Sequence, residues 1–152
     1  MRPASCLFSS CWGCCSPLLI SGYGANKVVA FTGDTAGTGE FAGSIADPHD
    51  RTGKAKTEIH KTGTGKWTLS GSNTCTGPIT ISLGTLCADG APGPGAKPDT
   101  AIPTGSSLEL NFNGQVIVSK LTLDGKPQAP GYYSATSTPG FLTGTGILQV
   151  PR

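Results

Sequence analysis

The chain is expected to fold as an all-β stack of short strands, and three observations in its 152 residues point there. Glycine and proline interrupt it throughout, and the longest stretch free of both is the ten residues Gln115–Asp124. A globular helix averages about three turns, and an interior glycine or proline costs roughly 1 or 3 kcal/mol, so helices have little room. Threonine is abundant at 19 residues; with Val and Ile it crowds χ1 in a way that suits a pleated strand. Finally, three- to six-residue runs of period two lie between Gly, Asn and Asp turns.

Composition narrows the function as well. Charged residues make up 13% of the chain, against about 25% in an average soluble domain. The net charge of +2 leaves no electrostatic footprint for nucleic acid. The one basic cluster, Arg51, Lys54, Lys56, Lys61 and Lys66 with His60 among them, is interleaved with Gly and Thr. It reads as a solvated loop and strand face, with an anion or polysaccharide surface as the alternative.

Residues 1–35 differ in character from the rest of the chain and are expected to be an atypical leader or a non-native start, poorly ordered. Arg2 precedes Cys6-Leu7-Phe8, the cysteine group Cys11, Cys14 and Cys15, and then Leu18-Leu19-Ile20 before small residues. That order loosely matches a secretory signal, although Ser9, Ser10, Gly13, Ser16 and Pro17 break its middle. No stretch there approaches the roughly 20 apolar residues of a membrane-spanning helix. Cys11-x-x-Cys14 has a usable ligand spacing, but no second Cys or His pair lies at zinc-finger distance. No metal site is assigned. Cys75 and Cys87 remain outside the cluster, and both a bridge and two unrelated apolar-position thiols fit their spacing.

From residue 36 the strand signals recur to the end. Thr62–Gly71, Gly84–Gly90, Gly105–Gly114 and Thr143–Val150 read as Gly-bounded strands, the third with Leu108, Leu110 and Phe112 in clean alternation. Between them lie Ile79–Leu83, Val116 with Val118, and Leu121 with Leu123. Each run has one apolar face and is too short to cover it alone, so stacking of about three to four similar coils over 36–152 is the economical solution. A β-sandwich fits the same spacing, and Asn113-Gly114 would favour it by forming a hairpin.

The run His60-Lys61-Thr62-Gly63-Thr64-Gly65-Lys66-Trp67-Thr68-Leu69-Ser70-Gly71-Ser72-Asn73-Thr74-Cys75-Thr76-Gly77, then Ile79–Leu86, resembles the autotransporter-associated β-strand repeat. Cys75 stands where that repeat usually has Tyr, and Lys66-Trp67 where it often has Thr-Leu. Gly39–Pro48 is similar to the lead-in strand of such proteins, and Leu108–Gly146 to their closing segment. The resemblance implies a short right-handed parallel β-helix from the C-terminal part of an exported passenger, secreted or at the bacterial cell surface. It implies a structural, adhesin-like role. The long membrane barrel of a complete autotransporter does not fit within this sequence, which suggests a fragment or a free-standing relative.

Chemistry is sparse. Asp47-Pro48-His49-Asp50-Arg51 is the densest ionisable spot and reads as a surface turn. Gly63-Thr64-Gly65-Lys66 resembles a phosphate loop, and Gly37–Ala42 a dinucleotide loop, without the strand–turn–helix context either needs. Glu109, Lys120 and Asp124 form the set a polysaccharide-cleaving site would use. Trp67, Tyr132, Tyr133 and Phe141 would form a sugar-stacking platform, with burial favoured for Trp67. No catalytic, cofactor-binding or metal-ligating residue is assigned, and the expectation is of a non-enzyme. No cofactor, nucleic acid or small-molecule substrate is expected. The expected partners are a second copy or an N-terminal continuation of the β-helix, and a surface polysaccharide.

Overall fold

The computed structural model describes residues 6–8, 19–20, 23–33, 37–90 and 94–152. More than half of the leader expected over 1–35 lies outside these residues. Among them there are strands and no helix. In chain order the strands are β1 Cys6–Phe8, β2 Leu19–Ile20, β3 Lys27–Phe31, β4 Thr38–Phe41, β5 Ser44–Ile45 and β6 Thr57–Lys61. Next come β7 Lys66–Leu69, β8 Ile79–Ile81, β9 Gly84–Ala88, β10 Asp99–Ile102, β11 Ser106–Leu110 and β12 Gln115–Ile117. The last are β13 Lys120–Leu123, β14 Lys126–Pro127, β15 Gly131–Tyr133, β16 Leu142–Gly144 and β17 Ile147–Val150.

Successive strands alternate between two main sheets. The larger runs β1-β3-β6-β8-β10-β13-β14 and the smaller β16-β11-β9-β7-β4, with β12-β17-β15 and β2-β5 as minor sheets. From β3 to β13 the chain therefore completes repeated circuits, each strand lying beside its counterpart from the circuit before. Ile59 pairs with Ile79, Ile79 with Thr100 and Thr100 with Leu121, a step of roughly 20 residues each time. All pairings are parallel except β13–β14 and β15–β17. Hairpins cannot join parallel neighbours, so the antiparallel sandwich does not describe these sheets. Asn113-Gly114 is no hairpin either: β11 before it and β12 after it belong to different sheets.

The inward face arises from the alternation. On the larger sheet Val29, Ile59, Ile79 and Leu121 share one inward ladder with Thr100, and Phe31, Lys61 and Ile81 the next. On the smaller sheet the ladders are Trp67–Leu86–Leu108–Leu142 and Phe41–Leu69–Ala88–Leu110. These side chains meet in one buried core between the sheets. A third wall is made mostly of backbone: Thr74 and Cys75 donate to the Ile45 carbonyl at 2.8 and 3.1 Å, and Ala96 to that of Cys75 at 2.8 Å.

Several element boundaries differ from expectation for identifiable reasons. β6 lies in the stretch expected as a solvated loop and strand face; it is a strand, but its burial alternates strictly and Lys61 lies inside with Thr57 and Ile59. Thr143–Val150 is two strands, because Gly144 turns at φ 87° and Thr145 and Gly146 both donate to Leu110. Lys27–Phe31 already pairs within the stack, upstream of residue 36.

Where circuits touch backbone to backbone, glycine is required. A β-carbon on Gly71 would collide with the Gly43 carbonyl, and one on Gly77 with that of Thr57. Leu86→Ala should lower unfolding free energy by about 3 kcal/mol, the usual cost of a core cavity. Gly71→Val should do at least comparable harm, whereas Thr80→Ala on the outer face should stay within roughly 0.5 kcal/mol. Urea unfolding of the three variants checks the ranking.

Candidate functional site: the repeat circuit and its outer faces

Residues 59–86 occupy one circuit and the start of the next, and their groups are directed at the chain above and below. The Thr62 amide donates to Phe31 O at 2.8 Å, Gly65 to Gly33 O at 3.1 Å and Ser70 to Phe41 O at 3.1 Å. In the other direction Ser82 donates to Lys61 O and Asp89 to Leu69 O, at 2.8 and 2.9 Å. The Trp67 ring packs on Phe31 with centroids 5.2 Å apart, covers Gly39, and donates from Nε1 to Thr32 O at 2.9 Å. A β-carbon on Gly39 would lie 2.8 Å from that ring, so indole and glycine fit each other across the pair.

Three polar side chains pin the corners. Asn73 is fully buried and accepts from the Ile45 amide through Oδ1 at 3.1 Å. Asp47 accepts from the Thr57 amide at 2.8 Å, the Thr76 amide at 3.0 Å and the Thr76 hydroxyl at 2.6 Å, so one carboxylate fastens three separate stretches. Lys61 points inward and is fully buried; its Nζ donates to the carbonyls of Gly63 at 2.7 Å, Thr62 at 3.0 Å and Leu83 at 3.2 Å. Each satisfies backbone groups that a tight corner withholds from the ladders. Asn73 Nδ2 and Thr100 Oγ1 are buried without a partner.

The residues singled out from the sequence are dispersed. In Asp47–Arg51, Asp47 is spent as above, and Asp50 accepts from Thr52, Lys54 and Ala55 amides at 2.8, 3.2 and 2.6 Å. Burial pushes the Asp50 carboxyl up, but the hydrogen bonds from Ala55, Thr52 and Gly53 outweigh this and hold it below the usual carboxylate range. That capping interaction is present above the ordinary Asp range and lost as pH falls through the lowered value. His49 is exposed and bridges to Tyr23, ring centroids 6.0 Å apart.

Glu109 lies on the smaller sheet and pairs with Lys66 at 2.8 Å, while Lys120 and Asp124 belong to the larger sheet and the turn after it. The three do not converge. Among the aromatics Trp67 is buried, Tyr133 donates to Ala129 O at 2.6 Å, Tyr133 and Phe141 each pack on the core, and Tyr132 is 63% exposed. They form no platform. The basic cluster also separates: Lys61 is inside, Lys66 is paired with Glu109, and His60 faces Glu58 at 3.3 Å.

Cys75 and Cys87 are both free and buried, so they are not bridged. Burial, then the nearby Asp47 carboxylate, push the Cys75 thiol up to about 12. Cys87 pairs in register between Thr68 and Glu109, and burial, then the Glu109 charge, raise it too. No group of His, Cys, Asp and Glu able to hold a metal occurs among the described residues. No helix there is long and apolar enough to cross a membrane.

Residues 59–86 match the passenger-associated-transport-repeat family. Over 60 residues the chain is 40% identical to the adhesin BmaC autotransporter of Brucella suis biovar 1 (strain 1330), covering 40% of this chain and 2% of that protein. No solved structure matches the chain. The circuit built by residues 59–86 thus coincides with a match to the passenger-associated transport repeat, and the relative it resembles is an autotransporter adhesin.

Removing a corner pin orphans buried amides, a loss of about 1–3 kcal/mol. Asp47→Ala should therefore destabilise the chain by about 2 kcal/mol or more in urea unfolding, beyond Asn73→Ala, which also removes an unsatisfied nitrogen. With Cys6, Cys11, Cys14 and Cys15 replaced by Ser, neither remaining thiol should react with Ellman's reagent at pH 8 until the chain is unfolded. Rapid native-state labelling would contradict the burial of both.

Proposed function

We propose that this chain, which carries an autotransporter passenger repeat, is a structural segment of an exported bacterial surface protein: a short right-handed parallel β-helix without a catalytic site of its own. The observation that carries this reading is where the repeat spends its groups. The glycines, Asn73, the tryptophan and the corner amides of residues 59–86 are engaged with neighbouring circuits, and Asp47 and Lys61 are consumed as fasteners. A segment so committed to its own stacking is suited to propagate a stack and to hold other regions out from the cell.

The C-terminal end supports a capping role within that reading. The last parallel strand of the larger sheet, β13, is met by antiparallel β14, which carries Lys126 and Pro127. A charged residue and one without an amide blunt an edge against further pairing. Antiparallel β15 likewise covers β17. At the other end of the smaller sheet β4 is the edge strand among the described residues, and continuation there, by further chain or by a second copy, belongs to the proposal. The adhesin is far longer than this chain, and its adhesion is a property of that whole protein. The carboxylate set for polysaccharide cleavage is spread over two sheets, which favours a scaffold over an enzyme.

The chain should be inserted between a secretion signal and an autotransporter barrel and its surface exposure read by accessibility to added protease. The native sequence should be displayed, and the Asp47→Ala/Asn73→Ala double variant displayed several-fold less. Equal display of both would overturn the scaffold role, as would polysaccharide cleavage by the purified chain.

A further inference from the structure

The larger sheet carries a groove along one corner that the stacking does not explain. Its volume is about 370 Å³, within the range of small-ligand sites. Lys56 precedes β6, Pro78 precedes β8, Asp99 opens β10 and Ser119 precedes β13, so the groove crosses the same corner of four consecutive strands. Adjacent strands lie about 4.8 Å apart, and a corner repeated at that even interval suits a linear polymer.

We propose that this groove binds an acidic oligosaccharide, one bearing carboxylate or sulfate groups. The cations are Lys56 and Lys97, both exposed. Neither groove lysine belongs to an ion pair seen among the described residues, such as His60–Glu58 or Lys66–Glu109. Their backbones are fixed in advance. The Lys56 amide donates to Asn26 Oδ1 at 2.9 Å, and its carbonyl accepts from the Lys27 amide at 2.9 Å.

Lys97 is held in the left-handed region at φ 54°, which a residue with a side chain adopts only under constraint. The constraint is visible: Ser119 Oγ donates to Lys97 O at 2.6 Å, the Ser119 amide to Pro98 O at 3.0 Å, and the Ala96 amide to Cys75 O at 2.8 Å. Fixing the backbone under both lysines before binding removes part of the ordering cost of association.

The remaining lining fits a sugar rather than a bare polyanion. Half-buried Pro78 and Ala96 supply an apolar floor for the C–H face of a ring. The exposed Asp99 carboxylate is placed to accept hydrogen bonds from sugar hydroxyls. The described lining contains no aromatic ring for base stacking. Binding here is independent of whether the chain serves as a scaffold.

The test is isothermal titration of the full chain with trigalacturonate, with maltotriose and oligodeoxythymidylate titrated in parallel. Trigalacturonate should bind, more weakly as salt rises. Lys56→Gln combined with Lys97→Asn, Asn being tolerated at positive φ, should weaken it about tenfold, as expected for two exposed charge contacts. Lys54→Gln, away from the groove, should leave it unchanged. Absence of trigalacturonate binding would overturn the proposal. So would equal binding of maltotriose or the oligonucleotide, or unaltered affinity in a double variant whose thermal melt matches the parent.

Discussion

The fold depends on in-register pairing between one circuit and the next. Strands β3 to β13 run three to five residues, apart from the two-residue β5, and none could satisfy its backbone or cover its apolar face by itself. A parallel neighbour supplies both at once: its amides meet the carbonyls, and its inward side chain covers the one before. Because side chains alternate with period two, a slip of one residue would turn each inward ladder to solvent. Register is thus the quantity the sequence has to protect.

The interior polar groups serve that protection. Leucine and isoleucine ladders discriminate poorly against a two-residue slip, which keeps the same face inside, since one aliphatic side chain packs on another in many ways. Asn73 on the Ile45 amide, Asp47 across Thr57 and Thr76, and Lys61 on three carbonyls accept only one alignment. A wrong register would leave the buried Lys61 ammonium without partners, which costs far more than a misplaced methyl. Glycines such as Gly71 and Gly77 enforce the same alignment sterically, because only there can the corners close. The passenger repeat is therefore legible as a set of alignment devices.

How much of this could be read in advance depended on whether a residue's role was local. The alternation of Leu108 with Leu110, or of Trp67 with Leu69, announces a half-buried strand by itself, and many such runs together announce the all-β class. Strand β6 was obscured because its inward Lys61 looks solvent-directed until three carbonyls are brought to it. Asn113-Gly114 has hairpin chemistry, but the pairing partners of β11 and β12 lie one circuit away, and tertiary pairing overrode the turn preference. Asp47 read as a turn residue, whereas its partners stand 10 and 29 positions downstream. The groove was invisible for the same reason, being assembled from four separated stretches of chain.

The stacking is carried by hydrogen bonds that leave one circuit and end on another, and native-state hydrogen exchange measures them directly. The amides of Thr62, Ser70, Thr74, Ser82 and Asp89 have carbonyl acceptors one circuit away. They should exchange orders of magnitude more slowly than an unstructured chain and, at elevated denaturant, at a common rate, because breaking one interface breaks the stack. Exchange of these five at unprotected rates, while the amides of β14 and β15 stay protected, would contradict the stacked arrangement.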